Sequence, residues 1–507
     1  MKPVDRILSW SPRFVPGLAA AALAGACGTE PPLPASIAVS PPSATLPWLG
    51  DTVQLTAAVR DTAGRTMRGV TVVWTSEDES VATVDASGLV TAVAKGVTLV
   101  RAKAGWVEDL ATVTVAPDRR ALLSFYEALN GSRWPLSENW GTDAPLDEWY
   151  GVTADSKDNV LALEMGFNRL SGTIPPEIGA LGALEELNLI NNFLRGSIPP
   201  ELGNLRSLRV LILFGNRLEG PVPPELGSLE NLRYLVVSNA VGGLTGPIPP
   251  ELGNLRNLRR LDLSSNDLAG AIPPELESLE NLRILNLSSN ALTGAVPPEL
   301  GSLGNLRGLD LSSNELTDRV PPELGNLRDL SGLNLSGNKL TGPVPPELGN
   351  LRNLLDLNLS SNRFLDSVPY ELGDLRNLQA LNLSDNFLTG SVPPELGDLR
   401  DLRTLYLGEN LLAGSVPPEL GSLDSLIYLR LSSNELTGPV PPELGNLRRL
   451  TYLAIDDNQL SGRLPRELIG IPLLTFHWNE TYLCSPRDRE YVLWLARIVY
   501  HTRNRWC

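Results

Sequence analysis

Histidine, cysteine and methionine are scarce in this sequence, whose 507 residues include two His, three Cys and three Met. Transition-metal sites are usually built from His and Cys, and nucleophilic enzymes usually pair the nucleophile with a His. His477 and His501 lie near the C-terminus without a partnered nucleophile motif, and Asp456-Asp457-Asn458 lacks the spacing of a calcium loop. We therefore expect no catalytic residues, no metal site and no cofactor: the chain is not expected to be an enzyme.

Positive charge is also in short supply. Lys and Arg number 42 against 58 Asp and Glu, which gives a formal net charge of −16. Nucleic-acid phosphates require a basic face, and an anionic lipid surface attracts basic segments. The charge balance therefore argues against nucleic acid as a partner and against membrane docking by charge alone.

The N-terminal apolar stretch is shorter than a membrane-spanning helix. Val15 to Ala26 follows the basic residues Lys2, Arg6 and Arg13, and it falls short of the roughly 20 residues that a span requires. Residues 1–26 are typical of a signal peptide. The sequence Ala24-Gly25-Ala26-Cys27 suits ordinary signal peptidase and also resembles a bacterial lipobox, with a less usual residue three before the cysteine. Either cut makes Cys27 the first mature residue.

The odd number of cysteines favours a lipid on Cys27. Cys484 and Cys507 lie close in sequence and can form a disulfide, which leaves Cys27 without a partner. Several acyl chains on one cysteine anchor a protein stably, and residues 27–35 then form the anchor and a proline-rich spacer. Gly28 follows the cysteine, and the resemblance to Gram-negative lipoproteins implies the outer membrane. Plain secretion is the alternative.

Residues 36–116 show the alternation of half-buried strands. About seven short strands separated by turns such as Asp85-Ala86-Ser87-Gly88 predict an all-β sandwich with Trp74 in its core. The runs that we expect to be strands include Ser36–Val39, Val53–Val59, Val70–Trp74, Val81–Val84, Leu89–Ala92, Val97–Val100 and Leu110–Val115. The segments Val72–Ser76, Ser80–Asp85 and Gly88–Ala92 resemble the bacterial Ig-like domain of group 2. We expect this domain to be a passive stalk.

A 24-residue repeat dominates the rest of the chain and predicts about thirteen coils of a solenoid. The repeat is marked by Asn168, Asn192, Asn216, Asn266, Asn290, Asn314, Asn338, Asn362, Asn386, Asn410, Asn434 and Asn458. In one coil we expect six aliphatic side chains to point inward, and they are Leu282, Leu285, Leu287, Leu292, Val296 and Leu300. Leu285–Leu287 is expected to be a strand in a parallel inner sheet, Asn290 to satisfy backbone groups, and Pro297-Pro298 to leave the sheet.

The pattern Leu-x-Gly-x-Ile/Val-Pro resembles plant-type leucine-rich repeats of receptor-kinase ectodomains and polygalacturonase-inhibiting proteins. That resemblance implies an α/β leucine-rich-repeat solenoid with a curved, parallel inner β-sheet. It also implies an N-terminal cap at 117–159, repeats at 160–471 and a C-terminal cap at 472–507, with capping helices at Asp118–Tyr126 and Tyr491–Ile498. Asp147 and Ala154 replace the family's two N-cap cysteines, so Trp134, Trp140 and Trp149 are expected to close that end. No kinase is expected.

The concave face of such a solenoid consists of the variable residues around each inner strand. Its middle coils are monotonous, with Asp262, Asn286, Asp310, Asn334, Asn358 and Asn382. An N-terminal cluster of apolar residues consists of Ile190, Ile212, Phe214, Tyr234 and Val236. A C-terminal cluster consists of Arg403, Tyr406, Tyr428, Arg430 and Tyr452, beside Glu409, Asp456 and Asp457. Tyr and Arg are typical interface anchors, so both clusters are candidate ligand-binding sites. Drift of tolerated aromatic residues is the alternative.

These patterns predict a secreted or cell-surface binding protein that recognises a protein, peptide or glycan through the concave face. The alternative is a structural spacer or adhesive envelope component without a specific soluble ligand. The insertion at residues 239–243 interrupts one coil and is a further candidate for the binding side.

Overall fold

The computed structural model describes residues 33–239, 242–501 and 505–507. The expected signal peptide, Cys27 and two residues of the insertion, Ala240 and Val241, lie outside the described residues. The chain divides into two compact units, Met1–Val115 and Ala116–Cys507. Among the described residues, no helix combines the length and apolar character needed to cross a membrane.

The first unit is an all-β domain of nine described strands. They are β1 Ser36–Ser40, β2 Ser43–Leu46, β3 Thr52–Gln54, β4 Thr56–Arg60, β5 Val73–Ser76, β6 Ala82–Val84, β7 Leu89–Ala92, β8 Gly96–Ala104 and β9 Val107–Val115. They form a pair β1-β4, a four-stranded sheet β2-β9-β8-β5 and a three-stranded sheet β3-β7-β6. Leu55, Val90, Val100 and Val113 are fully buried in the core between them.

The expected strand at Val53–Val59 is wrong in detail, because the chain changes sheet at Leu55. That side chain is fully buried and its N–H donates to Gly88 O over 2.9 Å, so β3 pairs with β7 while β4 pairs with β1. Trp74 packs against the core but remains half-buried, so it does not fill the core as predicted. Its ring passes Gly88 closely: a Cβ there would lie 2.8 Å from Trp74 Cε2.

The second unit is the predicted solenoid, and its inner sheet has sixteen described strands. They are Val152–Ala154, Val160–Glu164, Glu186–Asn188, Val210–Ile212, Tyr234–Val236, Arg260–Asp262, Ile284–Asn286, Gly308–Asp310, Gly332–Asn334, Asp356–Asn358, Ala380–Asn382, Thr404–Tyr406, Tyr428–Arg430, Tyr452–Ala454, Thr475–His477 and Tyr500–His501. The first strand is antiparallel to the second, and the others pair in parallel. The sheet therefore continues into both caps, beyond the thirteen predicted coils.

Most coils leave the inner sheet through a second short strand and return through a 3₁₀ helix, and the coil of Ala380–Asn382 has no second strand among the described residues. The second strands are Ser171–Gly172, Phe193–Gly196, Arg217–Leu218, Gly220–Pro221, Leu244–Gly246, Asp267–Gly270, Ala291–Ala295, Glu315–Thr317, Thr341–Gly342, Arg363–Phe364, Ala413–Ser415, Glu435–Gly438, Gln459–Arg463, Tyr482–Ser485 and Arg505–Trp506. The 3₁₀ helices are Pro176–Ala180, Pro200–Asn204, Pro224–Ser228, Pro250–Asn254, Pro274–Ser278, Pro298–Ser302, Pro322–Asn326, Pro346–Asn350, Tyr370–Asp374, Pro394–Asp398, Pro418–Ser422, Pro442–Asn446 and Arg466–Gly470. Proline suits this place because its missing N–H falls at the first helical position.

The inward-facing side chains and the asparagines hold successive coils together. All six aliphatic residues predicted to point inward in the coil of Leu282 are buried. Asn338 shows the role of the repeated asparagine: its Nδ2 donates to Leu311 O, Leu335 O and Ser336 O, and its Oδ1 accepts from Leu316 N. Since Leu311 and Leu316 belong to the preceding coil, each amide links two coils. This confirms the prediction that the asparagine side chain provides hydrogen-bond partners for backbone groups.

The two ends of the solenoid are closed by aromatic residues and helices. At the N-terminal end, helix α1, Pro117–Ala128, precedes two 3₁₀ turns, Gly131–Arg133 and Leu146–Glu148. Trp134 and Trp140 lie 5.1 Å apart between ring centroids, and Trp140 and Trp149 lie 5.0 Å apart. At the C-terminal end, helix α2, Arg489–Leu495, packs Trp494 against Phe476. Cys484 and Cys507 are joined there with an S–S distance of 2.09 Å.

Candidate binding surface

The concave face is built from the residues on either side of the central leucine of each inner strand. In Ile284–Asn286 the central Leu285 is fully buried, while Ile284 is exposed and Asn286 is half-buried. Because the strands pair in parallel without offset, residues 24 apart stand side by side on this face, as Asn286 and Asp310 do. A side chain in one coil therefore has its sequence equivalent as its nearest neighbour in the next.

A groove of about 500 Å³ lies along the middle of this face. It is lined by residues of six consecutive inner strands, from Ile284–Asn286 to Thr404–Tyr406. Its floor is low because Gly308, Gly332 and Ala380 occupy the position that Ile284 and Tyr428 fill in other coils. The monotonous middle coils of the sequence thus form a groove, which sequence reasoning missed. The signal available was glycine in a strand position.

The polar side chains along the groove are held in place by their own coils. Asn334 Oδ1 accepts from Ser336 N at 3.2 Å and from Ser336 Oγ at 2.7 Å. The same pair of bonds recurs at Asn286, Asp310, Asn358 and Asn382. The amide Nδ2 groups of the asparagines do not take part in these bonds, so they remain as donors along the groove.

The C-terminal cluster begins where the groove ends, at Tyr406. Tyr406 pairs in register with Arg430, and Tyr428 pairs with Tyr452, whose ring centroid is 6.3 Å away. Arg430 forms an ion pair with Glu409, and its Nε donates to Ser432 Oγ over 3.2 Å. The structure therefore brings Tyr406, Tyr428, Arg430 and Tyr452 together on three successive strands. Arg403 is exposed at the edge, immediately before the strand Thr404–Tyr406.

The neighbouring tyrosines affect the pKa of Tyr406. Burial raises the pKa of Tyr406, and the neighbouring Tyr452 and Tyr428 raise it further, while Arg430 lowers it. Tyr406 therefore carries a neutral hydroxyl at neutral pH, able to donate and accept hydrogen bonds. Asp456 lies on the same side, and its buried Oδ1 has no hydrogen-bond partner among the described residues.

His477 extends this cluster by one strand, although the sequence indicated a role in the cap. It lies on the inner strand Thr475–His477, in register with Ala454, and its ring centroid is 5.9 Å from that of Tyr452. The 24-residue repeat did not indicate this position for His477, because the last coil is one residue shorter: the residue 24 positions after Ala454 is Trp478. The side chain of His501 is not among the described ones.

The N-terminal cluster is an apolar strip that lies outside the groove. Ile212 and Val236 pair in register, Phe214 is 41% exposed and Tyr234 is 39% exposed. Ile190 is half-buried beside Gly166, where a Cβ would lie 2.6 Å from its Cγ2. In the neighbouring insertion Asn239 takes the place of the repeated asparagine, and its Nδ2 donates to Asn266 Oδ1 over 2.7 Å.

Two kinds of domain match family models. The bacterial Ig-like domain (group 2) matches residues 35–115, and leucine-rich-repeat models match residues 183–205, 207–229, 257–279, 269–409 and 400–460. A solved leucine-rich-repeat protein of Leptospira interrogans is 33% identical, with a TM-score of 0.53, and the match covers 66% of this chain and 80% of that one. This chain belongs to the leucine-rich-repeat proteins. Its repeats are also similar to those of plant receptors.

The crystal structure of PEPR1–AtPEP1 is 34% identical, with a TM-score of 0.69, and the match covers 75% of this leucine-rich-repeat protein but about half, 53%, of that chain. The ectodomain of the Arabidopsis receptor kinase HAESA, solved with an N-terminally extended IDA peptide hormone, is 26% identical with a TM-score of 0.58. That match covers 76% of this chain and 74% of that one. A probable receptor-like serine/threonine-protein kinase of Arabidopsis thaliana is 39% identical over 77 residues, 8% of its length. The kinases are matched in their leucine-rich-repeat region.

Proposed function

We propose that this leucine-rich-repeat protein is an exported binding protein that holds an extended peptide, or an extended segment of a protein, in the concave groove. The C-terminal cluster anchors one end of that ligand. One similar solved structure, the HAESA ectodomain, contains a peptide hormone, IDA. The observation that carries the proposal is the groove itself, which has glycine at two positions of its floor, Gly308 and Gly332, and which ends at Tyr406.

The glycines in the floor are not required by the fold. Neither Gly308 nor Gly332 has a positive φ, and a Cβ built on either would meet no atom within 4 Å. Glycine weakens a strand relative to residues with a side chain, and it often marks a place where another chain approaches the backbone closely. Their effect here is to leave the groove open.

The length of the groove suits a short peptide. Six parallel strands span five intervals of about 4.8 Å, which gives about 24 Å. An extended peptide rises about 3.3 Å per residue, so about seven residues fit along this length. The free Nδ2 groups of the asparagines can donate hydrogen bonds to the carbonyl groups of a bound peptide, which need such partners.

The anchors lie at one end only. Tyr406, Tyr428 and Tyr452 provide rigid, partly exposed rings with polar tips, and Arg430 contributes a cation whose ion pair with Glu409 is solvent-exposed. Aromatic and arginine side chains dominate the binding energy of most interfaces. The N-terminal cluster, which includes Ile212, Phe214 and Tyr234, lies outside the groove, and we assign it a secondary role in contacting a larger protein partner.

The test is selection of peptides from a displayed random library on the purified protein, followed by affinity measurement on four proteins. They are the wild type, Tyr406→Ala/Tyr428→Ala/Tyr452→Ala, Gly308→Leu/Gly332→Leu, and the matched control Phe214→Ala/Tyr234→Ala. We expect filling the groove to leave the strands intact, because a Cβ at either glycine meets no atom within 4 Å. We expect selected peptides to bind the first two variants at least about 100-fold more weakly, from two or more lost anchors, and the control within about threefold.

Two results would overturn the proposal: no peptide selected above background, or selected peptides that bind all four proteins equally. Either would favour the alternative of a spacer or adhesive envelope component. Circular dichroism of each variant separates loss of binding from loss of fold.

We further propose that the protein is held at the cell surface by a lipid on Cys27, with plain secretion as the alternative outcome. Replacing Cys27 by Ser abolishes lipid attachment. If the proposal holds, the variant moves from the membrane fraction to the medium. An unchanged distribution would show that Cys27 is not the anchor.

A further inference from the structure

Four arginines of neighbouring coils form a continuous stripe along one edge of the inner sheet. Arg233, Arg259, Arg283 and Arg307 each lie immediately before an inner strand. The backbone N–H of each later arginine donates to the carbonyl oxygen of the one before it, over 2.8 Å in all three cases. The four residues therefore repeat at the strand spacing of about 4.8 Å. We call this set the arginine stripe.

The stripe carries no compensating charge. Arg233, Arg283 and Arg307 are exposed and Arg259 is half-buried, and within the described ranges none of their guanidinium groups makes a hydrogen bond or an ion pair. The neighbouring arginines are different: Arg209 pairs with Glu185 at 2.6 Å, and Arg260 pairs with Asp262 at 2.8 Å.

A second row of arginines allows the ion pairs of the stripe to be compared with those of another stacked set. Arg328, Arg352, Arg376 and Arg400 also recur at 24-residue intervals, in the loop after each 3₁₀ helix. There Arg376 pairs with Asp398 at 3.0 Å, and Arg400 approaches Asp424 at 3.5 Å. Like charges on directly opposite residues destabilise a sheet. The arginine stripe thus retains an electrostatic cost, in a chain of net charge −16. In the second row carboxylates relieve that cost at Arg376 and Arg400, whereas Arg328 and Arg352 form no ion pair within the described ranges.

We propose that the arginine stripe binds an acidic polysaccharide, with one carboxylate of the polymer opposite each coil. The guanidinium group is a planar donor suited to carboxylates. In an extended peptide, side chains on one face repeat at about 6.7 Å, twice the rise per residue, which does not match a 4.8 Å lattice. A linked uronic acid ring is comparable in length to the interval between coils, so carboxylates on one face of the polymer recur in register with the arginines.

This inference does not depend on the peptide groove. The stripe lies immediately before the strands, at their N-terminal edge, whereas the groove is lined by residues within the strands, from Ile284 to Tyr406. A failure of polysaccharide binding therefore leaves the peptide proposal untouched, and the reverse also holds.

The test uses the purified protein with alginate oligosaccharides as probe, in calorimetric or fluorescence titrations at low and physiological salt. Two variants of equal charge change are compared. The first is Arg233→Gln/Arg259→Gln/Arg283→Gln/Arg307→Gln, and the control is Arg328→Gln/Arg352→Gln/Arg376→Gln/Arg400→Gln. Methyl-esterified alginate provides the same backbone without charge, and polyglutamate and single-stranded oligothymidylate provide polyanions of other repeat lengths.

We expect alginate to bind the wild type, with affinity falling as salt rises, because the contacts are charged and exposed. Removing the stripe should weaken binding about tenfold or more, whereas the control variant should change it less than about threefold. The esterified polymer should not bind. Equal losses in the two variants, tighter binding of polyglutamate or oligothymidylate than of alginate, or no binding at low salt would each overturn the proposal. Unfolding temperatures of the two variants exclude a folding defect.

Discussion

The two ends of the solenoid close the same hydrophobic core with different chemistry. The N-terminal cap buries Phe125, Trp134, Trp140 and Trp149, with exposures of 0 to 5%, and has no covalent cross-link. Each of its three indole N–H groups donates to a backbone carbonyl, at 2.8 to 3.2 Å. The C-terminal cap also packs aromatic rings, but it adds the Cys484–Cys507 disulfide.

The difference follows from what each end has to hold. The N-terminal cap has a twelve-residue helix and an antiparallel strand that together cover the first coil. The last described strand of the C-terminal cap, Arg505–Trp506, has two residues, and its pairing with Tyr482–Ser485 alone contributes little. A buried tryptophan contributes several kcal/mol, comparable to a disulfide of about 3 kcal/mol. Packing can therefore replace the cysteines of this family where enough aromatic surface is available.

The largest expected effect is at Trp140, whose ring contacts those of Trp134, Trp149, Phe125 and Tyr126. Trp140→Ala should lower the free energy of unfolding of the N-terminal cap by about 4 kcal/mol, because it leaves a large cavity. Hydrogen exchange of the first coils measures the loss. Trp106→Ala, at a residue 63% exposed in the other unit, should change stability by less than about 0.5 kcal/mol. Equal effects would refute the view that ring packing closes this end.

The disulfide should rank second. Cys484→Ser/Cys507→Ser opens a loop whose ends are separated by 23 residues, so it should cost the C-terminal cap about 3 kcal/mol. Urea unfolding monitored by hydrogen exchange should show lost protection in the last two coils and none at the N-terminal cap, because coils interact with their neighbours only. If both ends lost protection together, the caps would not be independent.

Capping of the two helices gives a third contrast. Asp488 accepts the Tyr491 N–H at 3.0 Å at the start of α2, whereas the residue before α1, Ala116, has no side chain able to do so. Asp488→Ala should therefore destabilise the C-terminal cap by about 1 kcal/mol, and Asp488→Asn by only a few tenths, since asparagine caps nearly as well. Thermal unfolding resolves the two. A loss as large in Asp488→Asn would point instead to the ion pair with Arg466.

The smallest effect should be a gain. The Tyr491 side chain is fully buried, and among the described residues its hydroxyl has no hydrogen-bond partner. Tyr491→Phe should leave stability unchanged or raise it by about 1 kcal/mol at neutral pH, because an unsatisfied polar group is removed. A loss above about 1 kcal/mol would show that the hydroxyl is bonded in solution.

The same variant sharpens the comparison at high pH. Burial raises the pKa of Tyr491 well above its ordinary value of about 10. Above about pH 10 the unfolded chain releases the tyrosine proton while the folded chain keeps it. The free energy of unfolding of the cap therefore falls as the pH rises. Unfolding temperatures measured between neutral pH and about pH 11 should fall less in Tyr491→Phe than in the wild type. Parallel curves would contradict this assignment.

The sequence predicted those features that repeat. Leu285 and Asn290 recur every 24 residues, and the spacing of a recurring residue is enough to indicate both its burial and its bonding partners. The nine strands of the first unit were harder to predict. β2, Ser43–Leu46, has one buried position, Leu46, so its alternation is too short to be noticed. The turn at Leu55 depends on which distant strand each half of the run meets.

The sequence predicted the tyrosine and arginine side chains of the candidate site but not the groove beside them. Tyr406, Tyr428, Arg430 and Tyr452 stood out because they differ from the repeat, and the structure places them together. Gly308 and Gly332 did not stand out, since the space above a glycine depends on the neighbouring strands. The arginine stripe was also overlooked, because arginine recurs at two positions of the repeat and the sequence does not show which of these side chains form ion pairs.

The asparagine amides that link each coil to the one before it also define how the molecule responds to a pulling force. Detaching one terminal coil breaks a single set of such links and releases about 24 residues, about 80 Å of extended chain. The remaining coils keep their own links intact. We expect a solenoid built this way to lengthen in equal steps under tension, while the coils that remain attached keep their part of the concave surface.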